Sequence, residues 1–276
     1  MTYTGIMNGL LIVGGSVIAS LILVAYVRKL FSEETLRNSS DLIGNVLSIV
    51  GTFYAILLGL IVVDSLTQFE GSIDTVQAES NCVADIFMLS ERLPDPYGSH
   101  VRDLCRLYVH QVADDEWLTM KKGKVSMEAR KTALALFRSL HNFEPTTEAE
   151  KAIYPMILDL VRQVWDNRRA RTNTLEFGIP VIEWVALVLG CVVTIVFIGL
   201  FDVDNKRFQM FCVGMTTLVI ALNLYMVYLF GAPYGGELSV SNRPFILDLE
   251  IFDGVYNADP LATPQKPATP VNQRLP

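Results

Sequence analysis

The sequence predicts an all-α integral membrane protein with four transmembrane helices and a helical insertion between spans two and three. Four stretches, residues 1–27, 42–63, 184–201 and 208–236, contain no Asp, Glu, Lys or Arg. About 20 mainly apolar residues suffice to cross ~30 Å of hydrocarbon, so each stretch is near or above the length of a span. All 22 basic and 29 acidic residues are confined to the rest of the chain. With 51% hydrophobic residues distributed this way, a soluble globular enzyme is excluded.

The elements follow in order. Residues 1–67 form a transmembrane hairpin, with spans at about 6–27 and 42–64. The first stretch has no basic n-region and no Ala-x-Ala site before Arg28, so it reads as a retained helix rather than a cleaved signal. Residues 68–176 form an all-helical extramembrane insertion. The second helix continues past Asp64, because Leu66, Phe69, Ile73, Val76, Val83, Ile86 and Phe87 keep helical spacing. Leu93-Pro94-Asp95-Pro96 stops it, and Asp95 suits the N-cap of a helix beginning at Pro96. That helix carries Val101, Leu104, Leu107, Tyr108 and Val112 on one face and ends at Gly123. A helix from Ser126 to His141 follows. Thr147-Glu148-Ala149-Glu150 then fits a capping box that opens another, with Pro155 inside it to bend it or mark a restart. Residues 177–232 form a second hairpin, with spans at about 179–201 and 208–231. A post-membrane segment, 233–256, leads to a disordered proline-rich tail, 257–276, too poor in apolar residues to pack.

Sites for chemistry are few. A net charge of −7 argues against nucleic acid as a partner, since phosphate binding needs clustered cations. No glycine-rich phosphate loop, nucleophile triad or CxxC pair occurs, so neither catalytic residues nor a cofactor are expected. Cys82 and Cys105 read as free thiols, and Cys191 and Cys212 as small apolar side chains within spans. His110 and Asp114 stand four apart, geometrically able to hold a metal, but no further ligand accompanies them and no metal is assigned. Asp114-Asp115-Glu116 reads as a solvated helix end, with Trp117 packed inward.

Span two carries the sharpest pattern. Gly44, Ser48, Gly51, Ala55 and Gly59 draw a continuous stripe of small side chains, and small residues let helices approach closely in lipid, where hydrophobic gain is slight. The stripe packs against another span of the same subunit, or it faces other copies and a pore. Asp64 and Glu183 are charged membrane-interface residues, either hydrated or forming a ring at a pore mouth. Arg168, Arg169 and Arg171 precede span three and are candidates to bind lipid phosphates or anions, or to anchor topology.

Several of these segments together resemble a family. Gly51-Thr52-Phe53-Tyr54-Ala55-Ile56-Leu57-Leu58-Gly59, Leu93-Pro94, Glu116-Trp117-Leu118-Thr119-Met120, Arg168-Arg169-Ala170-Arg171, Pro180 with Trp184, and Pro233-Tyr234-Gly235-Gly236-Glu237-Leu238 followed by Arg243-Pro244-Phe245 are similar in order to an uncharacterised bestrophin-like four-span membrane family. The likeness covers most of residues 40–245, with Tyr234 where Phe is expected. It implies distant kinship with bestrophin anion channels, which are pentamers with span two near the pore axis. No calcium-clasp sequence carries over.

Juxtamembrane basic residues divide almost evenly between the two sides; the resemblance places both termini and the insertion in the cytoplasm, in the inner membrane of a bacterial cell. The expected function is a homo-oligomeric ion channel, selective for anions, or a channel-like protein. The alternative is a non-conducting accessory or scaffold subunit of a membrane complex. The expected partners are therefore the lipid bilayer, other copies of the chain and, on the alternative, other membrane subunits.

Overall fold

The computed structural model describes residues 3–141, 143–175, 178–203 and 205–254. Ten helices are found among them: α1 (Tyr3–Arg28), α2 (Glu33–Asn38), α3 (Ser40–Ser90), α4 (Tyr97–His110), α5 (Trp117–Met120), α6 (Met127–Ser139), α7 (Glu148–Asn173), α8 (Val181–Leu200), α9 (Lys206–Phe230) and α10 (Arg243–Phe252). A π-helical stretch, Gln111–Glu116, joins α4 to α5. The protein is all-helical, and α1, the first part of α3, α8 and α9 are the four apolar helices long enough to cross a membrane. The proline-rich tail lies outside the described residues.

Within the four-helix bundle, α9 packs against α1 and α3, and α8 lies against both. Tyr54, Leu58 and Ile61 of α3 meet Leu187 of α8 and Ile220 and Val227 of α9. Val24 of α1 meets Ile195 and Val213. Polar groups are paired across helices: Thr217 Oγ1 donates to Ser20 Oγ at 2.9 Å. Gln209 Nε2 donates to the carbonyls of Gly199 and Phe201 at 2.8 and 2.7 Å, capping the end of α8. An unsatisfied polar group costs several kcal/mol where no water can reach it, so such pairs hold register between helices.

Helix α3 runs for 51 residues without a break and passes from the bundle into the insertion. There it forms one side of a core built with α4, α6, α7 and α10. Several local expectations meet their physical reason here. Thr147 accepts from the Glu150 amide while the Glu150 carboxylate accepts from the Thr147 amide, a complete capping box. Helix α7 continues through Pro155 without restarting. Tyr97, not Pro96, is the first residue of α4; Asp95 Oδ1 instead accepts from the Ser99 amide at 3.3 Å. On α4 the inward face is Val101, Cys105, Tyr108 and Val109, and Leu107 stays exposed. The four cysteines are free thiols.

Candidate functional site

The small-residue stripe of span two lies on the uncovered side of α3. Ser48, Ala55 and Gly59 are exposed, and a Cβ built on Gly51 or Gly59 would meet nothing within 4 Å. Of the stripe's three glycines only Gly44 comes close to another segment, with the Phe201 ring 3.1 Å from its built Cβ. Gly51 and Gly59 make no close approach to another span of the same subunit. Inside the subunit, close approach uses other glycines: Gly190 of α8 lies against the Tyr54 ring, and a Cβ on Gly199 would sit 2.6 Å from Val24. Gly51, Ala55 and Gly59 border a cleft of about 340 Å³ between α3 and α9, which Thr216 and Asn223 also line. Thr194 Oγ1, buried beside it, has no hydrogen-bond partner.

Of the interface charges, Asp64 is exposed and accepts from Gln68 Nε2 on its own helix at 2.7 Å. Glu183 is half-buried in the first turn of α8, where the helix dipole favours a carboxylate. No hydrogen bond joins the two among the described residues.

The arginine cluster divides. Arg169 is exposed, whereas Arg168 and Arg171 point into the core of the insertion. Arg171 donates from Nε and Nη2 to both carboxylate oxygens of Glu79, at 2.7 and 2.9 Å, and from Nη2 to Glu116 Oε2 at 3.1 Å. Arg168 grips Glu116 with both terminal nitrogens, one of them at 2.7 Å. Tyr108 OH donates to Glu79 Oε1. Glu79, Glu116 and Arg171 are each 0% exposed. Arg168 and Arg171 as lipid- or anion-binding groups, and Glu116 as a solvated residue, are thus corrected: two guanidinium groups and two carboxylates neutralise one another in a buried core. Burial alone would raise the Glu116 carboxyl, but hydrogen bonds from Arg168 and the charge of Arg171 outweigh it and hold it below the usual carboxylate range.

The π-helical stretch supplies the geometry that sequence reasoning missed. Its wider turn ends on Glu116, which points toward α7, while Trp117 packs inward and donates to the Val240 carbonyl at 3.3 Å. Such single π turns inside α-helices recur at functional sites. A third buried carboxylate, Asp248 of α10, accepts from Ser80 of α3. Burial, aided by the charge of Asp85 and only partly offset by Ser80, pushes Asp248 up to about 6.

No curated protein matches the chain. Among solved structures it is similar to single-residue variants of a bacterial bestrophin homologue from Klebsiella pneumoniae. One is 13% identical, covers 88% of this chain and 98% of its own, and superposes with a TM-score of 0.64. Two others, at 12% and 13% identity, cover 91% and 88% of this chain and 99% of their own, with TM-scores of 0.63 and 0.61. At such identities the likeness is one of fold. The Bestrophin-like domain matches residues 14–245, and with 232 of its 276 residues inside that match the chain belongs to the Bestrophin-like family.

Proposed function

We propose that the protein is a homo-oligomeric ion channel in which the α3 helices of several copies surround the conducting path. The observation that carries this reading is the uncovered stripe Gly51, Ala55 and Gly59. Within the subunit, α8 and α9 bury the Tyr54, Leu58 and Ile61 face of α3, while Ala55 and Gly59 stay exposed beside it. A lipid-facing surface has no need of small residues, whereas close helix approach does. Four spans in one subunit rarely leave an axial opening, so a path along α3 calls for several copies. Asp64, exposed at the end of the apolar part of α3, would then repeat around the mouth of that path, and Glu183 would add to the same ring. Both termini and the insertion lie in the cytoplasm. A carboxylate ring at the mouth favours cations, so selectivity for anions rests on the family resemblance alone.

The test begins with the mass of the detergent-solubilised particle. A homo-oligomer that conducts in planar bilayers, with a reversal potential that follows a chloride gradient, is the expected result. A monomer, or a particle silent at verified incorporation across voltage, pH and calcium, overturns the reading and favours a non-conducting accessory subunit. A reporter fused after Pro276 is expected to be active only if it works in the cytoplasm.

A further inference from the structure

The insertion holds a second cleft, of about 330 Å³, between the N-terminal end of α6 and the last turns of α7. Arg130 enters it from α6 and Arg169 from α7, both exposed. Among the described residues neither guanidinium takes part in an ion pair or donates a hydrogen bond. Asn173 and Trp165, on the same wall, likewise donate no side-chain hydrogen bond. Adjacent carboxylates are already neutralised: Asp166 by Arg162 at 2.8 Å, and Glu128 by Lys131 at 2.7 Å. Arg168 forms part of the floor, but its charge is spent on Glu116. The cleft therefore presents two free planar donor forks with no anion to receive them.

Two further features favour a compact oxyanion. Val125 and Met127 both line the cleft, so the positive dipole end of α6 opens onto it, with the Ala129 amide already capped by Ser126 Oγ. The loop before α6 carries Lys121, Lys122 and Lys124, none in an ion pair among the described residues. Guanidinium matches the tetrahedral geometry of phosphate in bidentate fashion. The height of the site also matters. Asn173, the last residue of α7, lines the cleft, and Arg169 stands about one helical turn, ~5 Å, above it; span α8 begins at Val181.

We propose that this cleft binds a phosphate group, carried by a soluble ligand or by a lipid headgroup, between Arg130 and Arg169. The proposal does not depend on ion conduction. Its test uses the full-length protein in nanodiscs of phosphatidylcholine, titrated with inorganic phosphate by calorimetry, and native mass spectrometry after reconstitution with phosphatidic acid. At least one probe is expected to bind. The double variant Arg130→Gln, Arg169→Gln should then weaken that binding about tenfold or more, since each lost charge-assisted hydrogen bond costs roughly that factor. Arg162→Gln, a neighbouring arginine paired within its own helix, should leave it unchanged. Because neither replaced arginine has a partner to lose, the double variant should melt with the wild type; if it does not, Arg130→Lys and Arg169→Lys, which keep the charge, must restore binding. Phosphate binding identifies a soluble ligand, and phosphatidic acid retention with a silent phosphate titration identifies the headgroup. Absence of binding by either probe, or equal binding by wild type and double variant, overturns the proposal.

Discussion

Replacing Arg171 with Met tests the buried tetrad directly. Arg171 is fully buried and makes three charge-assisted hydrogen bonds, two to Glu79 and one to Glu116. The substitution keeps most of the volume but leaves two carboxylates facing one arginine in a core closed to solvent. Removing one partner of a buried pair costs about 3–5 kcal/mol, because the remaining charge is stranded. At roughly 2–4 °C per kcal/mol for a chain of this size, the melting temperature should fall by roughly 6–20 °C. The double variant Arg171→Met, Glu79→Gln restores charge balance and leaves Arg168 and Glu116 intact, so it should be clearly more stable than the single variant. The gap between Arg171→Met and wild type should also narrow on acidification, as the stranded carboxylate takes up a proton. Differential scanning fluorimetry of the detergent-solubilised protein across pH measures all three. A single variant within about 1 kcal/mol of wild type, or a double variant less stable than the single, would show that the tetrad does not hold α3, the π-helical stretch and α7 together.

Other expectations follow from the same coordinates. Gly51→Leu and Gly59→Leu should split the oligomer while the isolated subunit keeps its fold, since each side chain enters space that is empty within one copy; unchanged particle mass for both would refute the assignment of that face to self-association. Gly190→Ala should do the reverse and lower the melting temperature by driving a methyl group into the Tyr54 ring, which a variant as stable as wild type would contradict. Asp248→Asn should raise the melting temperature at pH 7.5. Its folded value of about 6 exceeds the ordinary 3.8, so its contribution to stability is fully present below 3.8 and lost as pH rises through 6. The difference between Asn variant and wild type should therefore close below about pH 4, and a pH-independent difference would count against this account.

The architecture was legible because membrane insertion leaves a coarse mark. Charge is excluded over whole helices, and the exclusion shows in composition without knowledge of what packs where. Continuation of α3 to Ser90 was legible for a similar reason: its apolar positions keep helical spacing past the last membrane residue. The π-helical stretch was not, since one extra residue in a turn leaves no periodic trace. The small-residue stripe was legible as spacing, but which side of α3 the subunit covers depends on α8 and α9, more than 120 residues later in the chain.

Arg168 and Arg171 show where proximity in sequence misleads. Read as part of a basic run before a span, they belong with Arg169 on a surface. Read by period, they do not: Ile157, Val161, Val164, Arg168 and Arg171 step by four, three, four and three, so both arginines extend the buried stripe of α7 and Arg169 falls off it. The same holds on α3, where Val76, Glu79, Val83 and Ile86 step by three, four and three and place a carboxylate on the inward face. A charge on an apolar stripe must find an opposite charge or lose its own. Two inward arginines therefore require two inward carboxylates. Glu79 could have been identified from its helical phase, but Glu116 could not, because the π-helical turn shifts the phase of its helix before that residue is reached. The partners lie 52 and 92 residues from their arginines, and only the fold brings them together.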